Sequence, residues 1–316
     1  MIQPDCSSRT VIAPGKVFLA GEWSVLSGGW CLVSTLDVHA RARLVPEGED
    51  FPGTRELVSA ILQSARSPVV GGSAVSLDLG EFERDGIKLG VGSSAAATAA
   101  VLGLVEIVAR GRIGRRDDLA RRCASVHRDL QGGAGSGADA AASARGGVIR
   151  FRMPCTVRPS SLQGHFTMVA VGLGVRGMRT SRILGRHRDL VAARDRRVLS
   201  NVDVFGEAAG GIIDGLERGE WHTLRTGVNV AAAAYGELGD LLGAELVTPH
   251  DRMVMRYTRR TGGVSRPTGA GGGDLHLAYY EDPRSAARFS AWATERGLKV
   301  IPVEPDPSGV RTSRNP

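Results

Sequence analysis

The sequence predicts an α+β fold, and three observations carry that prediction. Stretches of strand-like alternation and stretches of helical spacing both recur, without the regular strand–helix alternation that a parallel α/β sheet needs. Glycine clusters at 88–94, 132–137 and 269–273 each lie next to a helix or strand pattern. The chain of 316 residues, 42% hydrophobic and 23% charged, is ample for a buried core in one large or two modest domains.

The elements follow in order. TVIAPGKVFLAGEW (10–23) is β-rich around a Pro-Gly break. WCLVSTLDVHARARLV (30–45) alternates and ends polar, as a half-exposed strand does. TRELVSAILQSA (54–65) has helical spacing, and SAVSLDLGEFE (73–83) alternates again. Residues 94–110 predict an Ala/Val/Leu helix, with a second helix around 116–130. QGGAGSGADAAASARGGVIRF (131–151) reads as a glycine loop, a short Ala-rich helix, a Gly-Gly turn and a strand. HFTMVAVGLG (165–174) has a buried-strand pattern, and most of 180–260 predicts three or four helices. A loop over 262–280 then leads into a strand, followed by a helix at 284–296 and a short strand at 298–301. The Pro/Ser-rich stretch 152–164 marks the predicted boundary between an N-terminal domain (1–157) and a C-terminal domain (158–303). The composition of EPDPSGVRTSRNP (304–316) predicts a disordered tail.

Composition narrows the function. No apolar run reaches the roughly 18 residues of a membrane span. MIQPDCSSRT lacks the basic start and apolar stretch of a signal peptide. Cys6, Cys31, Cys123 and Cys155 form no CxxC pair, so reduced thiols in a cytoplasm are expected rather than zinc or disulfides. The net charge of +7 comes from scattered arginines, and aromatics are only 5%, so no base-stacking platform and no nucleic-acid partner are expected. Among 40 basic residues only three are lysine: Lys16, Lys88 and Lys299. Lys16 follows a Pro-Gly turn and Lys88 opens a glycine-serine loop, whereas Lys299 lies outside any motif.

A glycine-rich loop running into a helix gathers backbone N–H groups and the positive end of the helix dipole, which together cradle phosphate. Three such loops point to a shared nucleotide site. The Walker A pattern is absent, because the one Gly-Lys pair is followed by Val17. Gly90-x-Gly92-x-x-Ala95 satisfies the dinucleotide fingerprint, but it follows the polar turn FERDGIK rather than an apolar strand, and no acidic residue closes a second strand. HRDL at 127–130 has Ala134 where a protein-kinase catalytic loop needs Asn, and it recurs at 187–190.

In this order and with these neighbours, the loops resemble the GHMP kinase superfamily of galacto-, homoserine, mevalonate and phosphomevalonate kinases. The matching stretches are APGKVFLAGEWSVLSGG (13–29), GVGSSAAATAA (90–100) and TGAGGGD (268–274). IKLGVGSS, the Gly-Ser-Gly-x-Asp segment at 135–139 and Gly273-Asp274 are most similar to the phosphomevalonate kinase branch. RTSRIL (179–184) is similar to a substrate motif shared by mevalonate and phosphomevalonate kinases, with Thr-Ser in place of Ser-Thr. Where mevalonate kinases place a metal-binding Glu, this chain offers His127, Arg128 and Asp129.

The resemblance implies a two-domain fold with the active site in the cleft between the domains. It implies γ-phosphoryl transfer from ATP, with Mg²⁺, to an anionic small-molecule acceptor. Lys88, Gly90, Gly92, Ser93, Ser94 and Ala95 would bind ATP, with Ser94, or else Ser93, offering its hydroxyl to the metal; helix capping is the alternative role of these serines. Asp139 would be the catalytic carboxylate, or else a helix-dipole carboxylate. Lys16 would reach both the γ-phosphate and Asp139. Glu22 would order the Lys16 loop, face the metal or form a buried ion pair. Ser136, Gly137, Arg179, Thr180, Ser181, Gly271 and Gly272 would complete the acceptor side, with arginine's fork suited to phosphate and carboxylate. The implied acceptor is 5-phosphomevalonate, in isoprenoid biosynthesis, with mevalonate or another sugar or alcohol as the alternative. A non-catalytic ligand-binding regulator is the remoter reading. A monomer or homodimer is expected.

Overall fold

Two antiparallel sheets carry the architecture of the computed structural model, which describes residues 9–50, 52–67, 73–163, 166–174 and 180–314. The chain begins with β1 (Arg9–Ala20) and β2 (Cys31–Pro46), then α1 (Arg55–Ser64), β3 (Ser73–Asp78) and a small hairpin of β4 (Glu83–Arg84) and β5 (Ile87–Lys88). Three helices follow: α2 (Ser93–Arg110), α3 (Arg116–Leu130) and α4 (Ala138–Arg145). β6 (Val148–Arg152), β7 (Thr156–Ser160) and β8 (Thr167–Gly172) lead to α5 (Thr180–Ala192), α6 (Arg196–Arg218), α7 (Trp221–Leu242) and α8 (Pro249–Arg260). β9 (Val264–Thr268), β10 (Leu275–Tyr280), α9 (Pro283–Glu295), β11 (Lys299–Pro302) and β12 (Arg311–Arg314) complete the order.

The first sheet runs β12-β1-β2-β6-β7, with β3 also on β2, and the second runs β11-β8-β10-β9. Alanines 95–97, 99 and 100 are fully buried, which lets α2 lie close over β1 and β2. α2 is long and apolar enough to cross a membrane, but 67% of it is buried inside the fold, as in a core helix. One hydrophobic cluster spans both sheets, from Val11, Leu19 and Leu36 to Ala170, Leu277 and Ile301.

Local chemistry sets the helix ends. Asp195 and Asp282 accept the first free N–H groups of α6 and α9. Thr248 and Asp251 form a reciprocal capping box on α8, with Pro249 inside its start.

Several expectations are corrected. β1 does not break at Pro14-Gly15; its pairing with β2 shifts register there, and Lys16 N–H turns to donate to Val91 O at 2.8 Å. Residues 264–268, expected in a loop, form β9, buried along its whole length; Arg266 and Pro267 hide a strand whose arginine is neutralised internally. A boundary at 157/158 falls inside β7, which pairs with β6 from Val148↔Ser160 to Arg152↔Thr156. Pro159 is tolerated because β7 is an edge strand. The expected tail is not disordered over 304–314; residues 315–316 lie outside the described ones. β12 pairs with β1 from Arg9↔Arg314 to Ile12↔Arg311. Val310 packs where Gly103 leaves room, since a Cβ there would stand 2.6 Å from Val310 Cγ1. His39 Nε2 meets Asp306 Oδ2 at 2.8 Å, and Arg311 bonds both residues. Those contacts are invisible to composition.

Ending the chain at Val303 removes a strand, the Val310 plug and the partner of buried His39. The expected outcome is a loss of at least about 3 kcal/mol of unfolding free energy, measured by urea titration.

Candidate active site

The site is built where the end of β1, the start of α2 and the loop before β10 converge. Gly15 leaves no room for a side chain, since a Cβ would sit 2.9 Å from Val91 O. The next residue, Lys16, runs its stem across the Gly90–Ser94 loop. A Cβ on Gly92 (φ +81°) would stand 2.5 Å from Lys16 Cε, so glycine is required both for the backbone and for the lysine's path. Gly92 is also the N-cap of α2 and has no side chain to satisfy the first N–H groups, which leaves the helix start suited to an anion.

Asp139 stands in the first turn of α4 and shares the cavity with Lys16. Its Oδ1 accepts from Ala140 N at 2.9 Å and lies 3.1 Å from His127 Nδ1. Burial pushes the carboxyl up, but His127, Lys16 and the Ala140 N–H outweigh it and hold the group well below the usual carboxylate range. Asp274, which also lines the cavity, is raised by burial against the pull of Lys16 and Lys88.

Glu22 resolves as a buried ion pair. Its Oε1 accepts from Arg266 at 2.6 Å and from Gly269 N at 3.1 Å. Arg266 is fully buried and also donates to Leu19 O and Pro267 O. The third glycine loop is thereby fastened to the segment that follows β1.

The resulting cavity, about 240 Å³, is lined by elements of both sheets. Of the expected site residues, Lys16, Glu22, Gly90, Gly92, Ser94, Ser136, Asp139 and Thr180 line it. Lys88 does not; it is exposed on β5 and acts on the site through its charge near Asp274. Ser93 and Ala95 lie off the cavity wall, and Ala95 is fully buried. Gly137, Gly271 and Gly272 serve packing instead. A Cβ on Gly137 would overlap Ala124 O at 2.3 Å and one on Gly271 would meet Leu246 O at 2.9 Å, while Gly272 N–H donates to Leu246 O. Ser181 is exposed on α5 away from the cavity. Arg179 and Cys6 lie outside the described residues.

Sequence reasoning passed over Trp23, Gln131 and Asp274 as lining residues, although Trp23 and Asp274 fall inside the quoted motifs. His127 was noticed only as a departure. Its ring bridges Ser94 Oγ, 3.1 Å from Nε2, and Asp139. Arg266 carried no signal, because an arginine in a glycine-rich stretch reads as solvated.

This arrangement places an open helix start, a lysine and a carboxylate held low on one cavity, the kinds of group that phosphoryl transfer uses. Comparison with known proteins agrees. Residues 83–147 match the GHMP kinases N terminal domain. Phosphomevalonate kinase of Streptomyces sp. (strain CL190) is 24% identical over 377 aligned residues, covering 96% of this chain and 99% of that protein. Phosphomevalonate kinase of Saccharolobus solfataricus is 25% identical, with the same coverage. In fold, the chain superposes on Streptococcus pneumoniae phosphomevalonate kinase in complex with phosphomevalonate and AMPPNP with a TM-score of 0.77, at 16% identity over 97% of this chain and 99% of that one. L. major mevalonate kinase in complex with R-mevalonate gives a TM-score of 0.70, at 16% identity over 96% and 99%. The chain thus carries a GHMP kinases N terminal domain match over residues 83–147, and its full-length likeness to these kinases supports a phosphotransferase.

Two outcomes are expected. Glu22→Gln leaves a buried guanidinium without its counter-charge and lowers unfolding free energy by about 3–5 kcal/mol, measured by urea titration. His187, its ring tilted against Trp23 with centroids 4.9 Å apart, has its pKa lowered by burial to about 4. The unfolded chain therefore binds this proton first. Its contribution to stability is full above about pH 6.5 and declines as pH falls toward 4. The urea midpoint should fall over that window, and less steeply in His187→Leu.

Proposed function

We propose that this kinase transfers the γ-phosphoryl of ATP to the phosphate of 5-phosphomevalonate, giving ADP and 5-diphosphomevalonate for isoprenoid biosynthesis. The observation that carries this reading is that Asp139, held below the usual carboxylate range by His127 and Lys16, lines the same cavity as Lys16 and the α2 start. A phosphate acceptor near neutral pH is mostly doubly ionised, so its attacking oxygen has little proton to give up. A carboxylate held this low is a poor base and a good electrostatic anchor, so the two properties match. Full-length similarity to two phosphomevalonate kinases supports the same acceptor.

In this reading the α2 start and the Gly90–Ser94 backbone hold the nucleotide phosphates. Lys16, aimed by Asp139, bridges the γ-phosphate and the acceptor. An acceptor phosphate oxygen bonds to the γ-phosphorus while the bond to the β-phosphate bridging oxygen breaks, leaving ADP. Thr180 at the start of α5 lies on the acceptor side, with Arg179 beside it in sequence. Ser94 and the Asp139 and Asp274 carboxylates give oxygen donors on one cavity, a hard set that fits Mg²⁺ with nucleotide phosphates and water completing the shell. Bound there, Mg²⁺ would neutralise phosphate charge. A cytoplasmic location and a monomer or homodimer belong to the same proposal.

Mevalonate kinase is the second reading, favoured by the fold likeness to that enzyme. An ADP-release assay across phosphomevalonate, mevalonate, homoserine and galactose separates them. Phosphomevalonate should be turned over with kcat/KM at least about a hundredfold above the others, and turnover of mevalonate alone would overturn the proposal. Asp139→Asn should lower kcat by about 10²–10³-fold without loss of fold, checked by single-turnover kinetics and thermal melting.

A further inference from the structure

Ser94, His127 and Asp139 form one chain of contacts across the phosphate end of the cavity. His127 projects from α3 and is 1% exposed. Its Nε2 lies 3.1 Å from Ser94 Oγ, and its Nδ1 lies 3.1 Å from Asp139 Oδ1. The backbone is shaped to allow this. Gly137, whose missing Cβ would overlap Ala124 O, lets the chain run against α3 one turn before His127 and sets Asp139 beside the ring. Among the described residues Nδ1 has no aligned hydrogen-bond acceptor, so the carboxylate is near but off the N–H line.

We propose that His127 is a positioning residue that turns the Ser94 hydroxyl toward a nucleotide-bound cation by tying it to Asp139. The argument is one of donors and acceptors. An ionised carboxylate only accepts, so it favours the ring proton on Nδ1. Nε2 is then an acceptor, and the Ser94 O–H donates to it. With its proton committed inward, the Ser94 oxygen presents its lone pairs to the cavity, as a metal ligand must. Outer-shell partners of this kind tune ligand orientation and metal affinity. The same three residue types make up a hydrolytic triad, but here the serine stands in the first turn of α2 over a phosphate cradle. The proposal rests on the Mg²⁺-nucleotide reading of the cavity.

Binding of AMPPNP by calorimetry, with Mg²⁺ and separately in EDTA, tests it without turnover. His127→Asn reaches only the Nδ1 position, so it keeps the Asp139 contact and drops Ser94. It should weaken Mg²⁺-AMPPNP binding by about tenfold or more and leave metal-free AMPPNP within about twofold. Ser94→Ala should show the same split, and the double variant should lose no more than either single one. His127→Gln, whose amide reaches the Nε2 position, should recover much of the loss, and if the Asn variant fails to fold, His127→Ala takes its place as the variant that drops Ser94. Equal weakening with and without metal, no change in either, or additive losses in the double variant would overturn the proposal. So would a phosphoryl adduct on Ser94 in intact-mass spectra after incubation with ATP, which would make the serine a nucleophile. If the wild-type protein binds AMPPNP no better with Mg²⁺ than without, the cation reading itself fails and takes this proposal with it.

Discussion

The buried Glu22–Arg266 pair is the constraint on which the site depends. A guanidinium inside a protein is tolerated only with a counter-charge and satisfied donors. Here it has Glu22 and the carbonyls of Leu19 and Pro267. Around it, Thr268 Oγ1 donates to Phe18 O and Tyr279 O–H donates to Leu19 O, each at 2.7 Å. These bonds satisfy the end of β1, where its pairing with β2 becomes irregular. The second sheet is thus hydrogen-bonded to the strand that carries Lys16. A lysine at 266 would supply charge but not the planar fork that reaches three oxygens on two strands.

From that joint the electrostatics of the cavity follow. Lys16 faces two carboxylates, one pulled down and one pushed up. Asp139 is low because a ring, an ammonium and a backbone N–H surround it, whereas at Asp274 burial outweighs the pull of Lys16 and Lys88. The cavity therefore holds one firmly charged carboxylate and one adjustable one. The scarcity of lysine makes sense in this light. Lys16 and Lys88 set the field at the site, while Lys299 bonds Asp85 at 2.5 Å and ties β11 to the small hairpin.

Much of the fold could be read from pattern alone. The helices from 54 to 145 and the four between 180 and 260 are amphipathic or Ala-rich enough to declare themselves, and the glycine loops announced the cavity. What stayed hidden was long-range. β9 contains Arg266 and Pro267, both of which argue against a buried strand, and only a glutamate 244 residues away makes the arginine admissible. The segment 304–314 has the composition of a loose end, and only β1 gives it a partner. Within the site, Lys16, Ser94 and Asp139 could be named because each falls in a glycine motif. His127 could not be given a role, because its function comes from the distance between two helices, which no local pattern encodes. Gly137 and Gly271 look like ligand glycines in sequence, yet each is there because a neighbouring carbonyl leaves no space for a Cβ.

The placement of β12 against β1 bears on how the chain reaches its native state. β1 carries the lysine of the cavity, yet its outer edge is completed by residues made roughly 300 positions later. During synthesis on the ribosome, β1, β2 and α2 emerge early, and among the described residues the outer edge of β1 is covered only by β12. The first sheet therefore cannot be completed from its N-terminal strands alone. The making of β12, rather than the completion of any glycine loop, sets the earliest moment at which this edge of the first sheet closes.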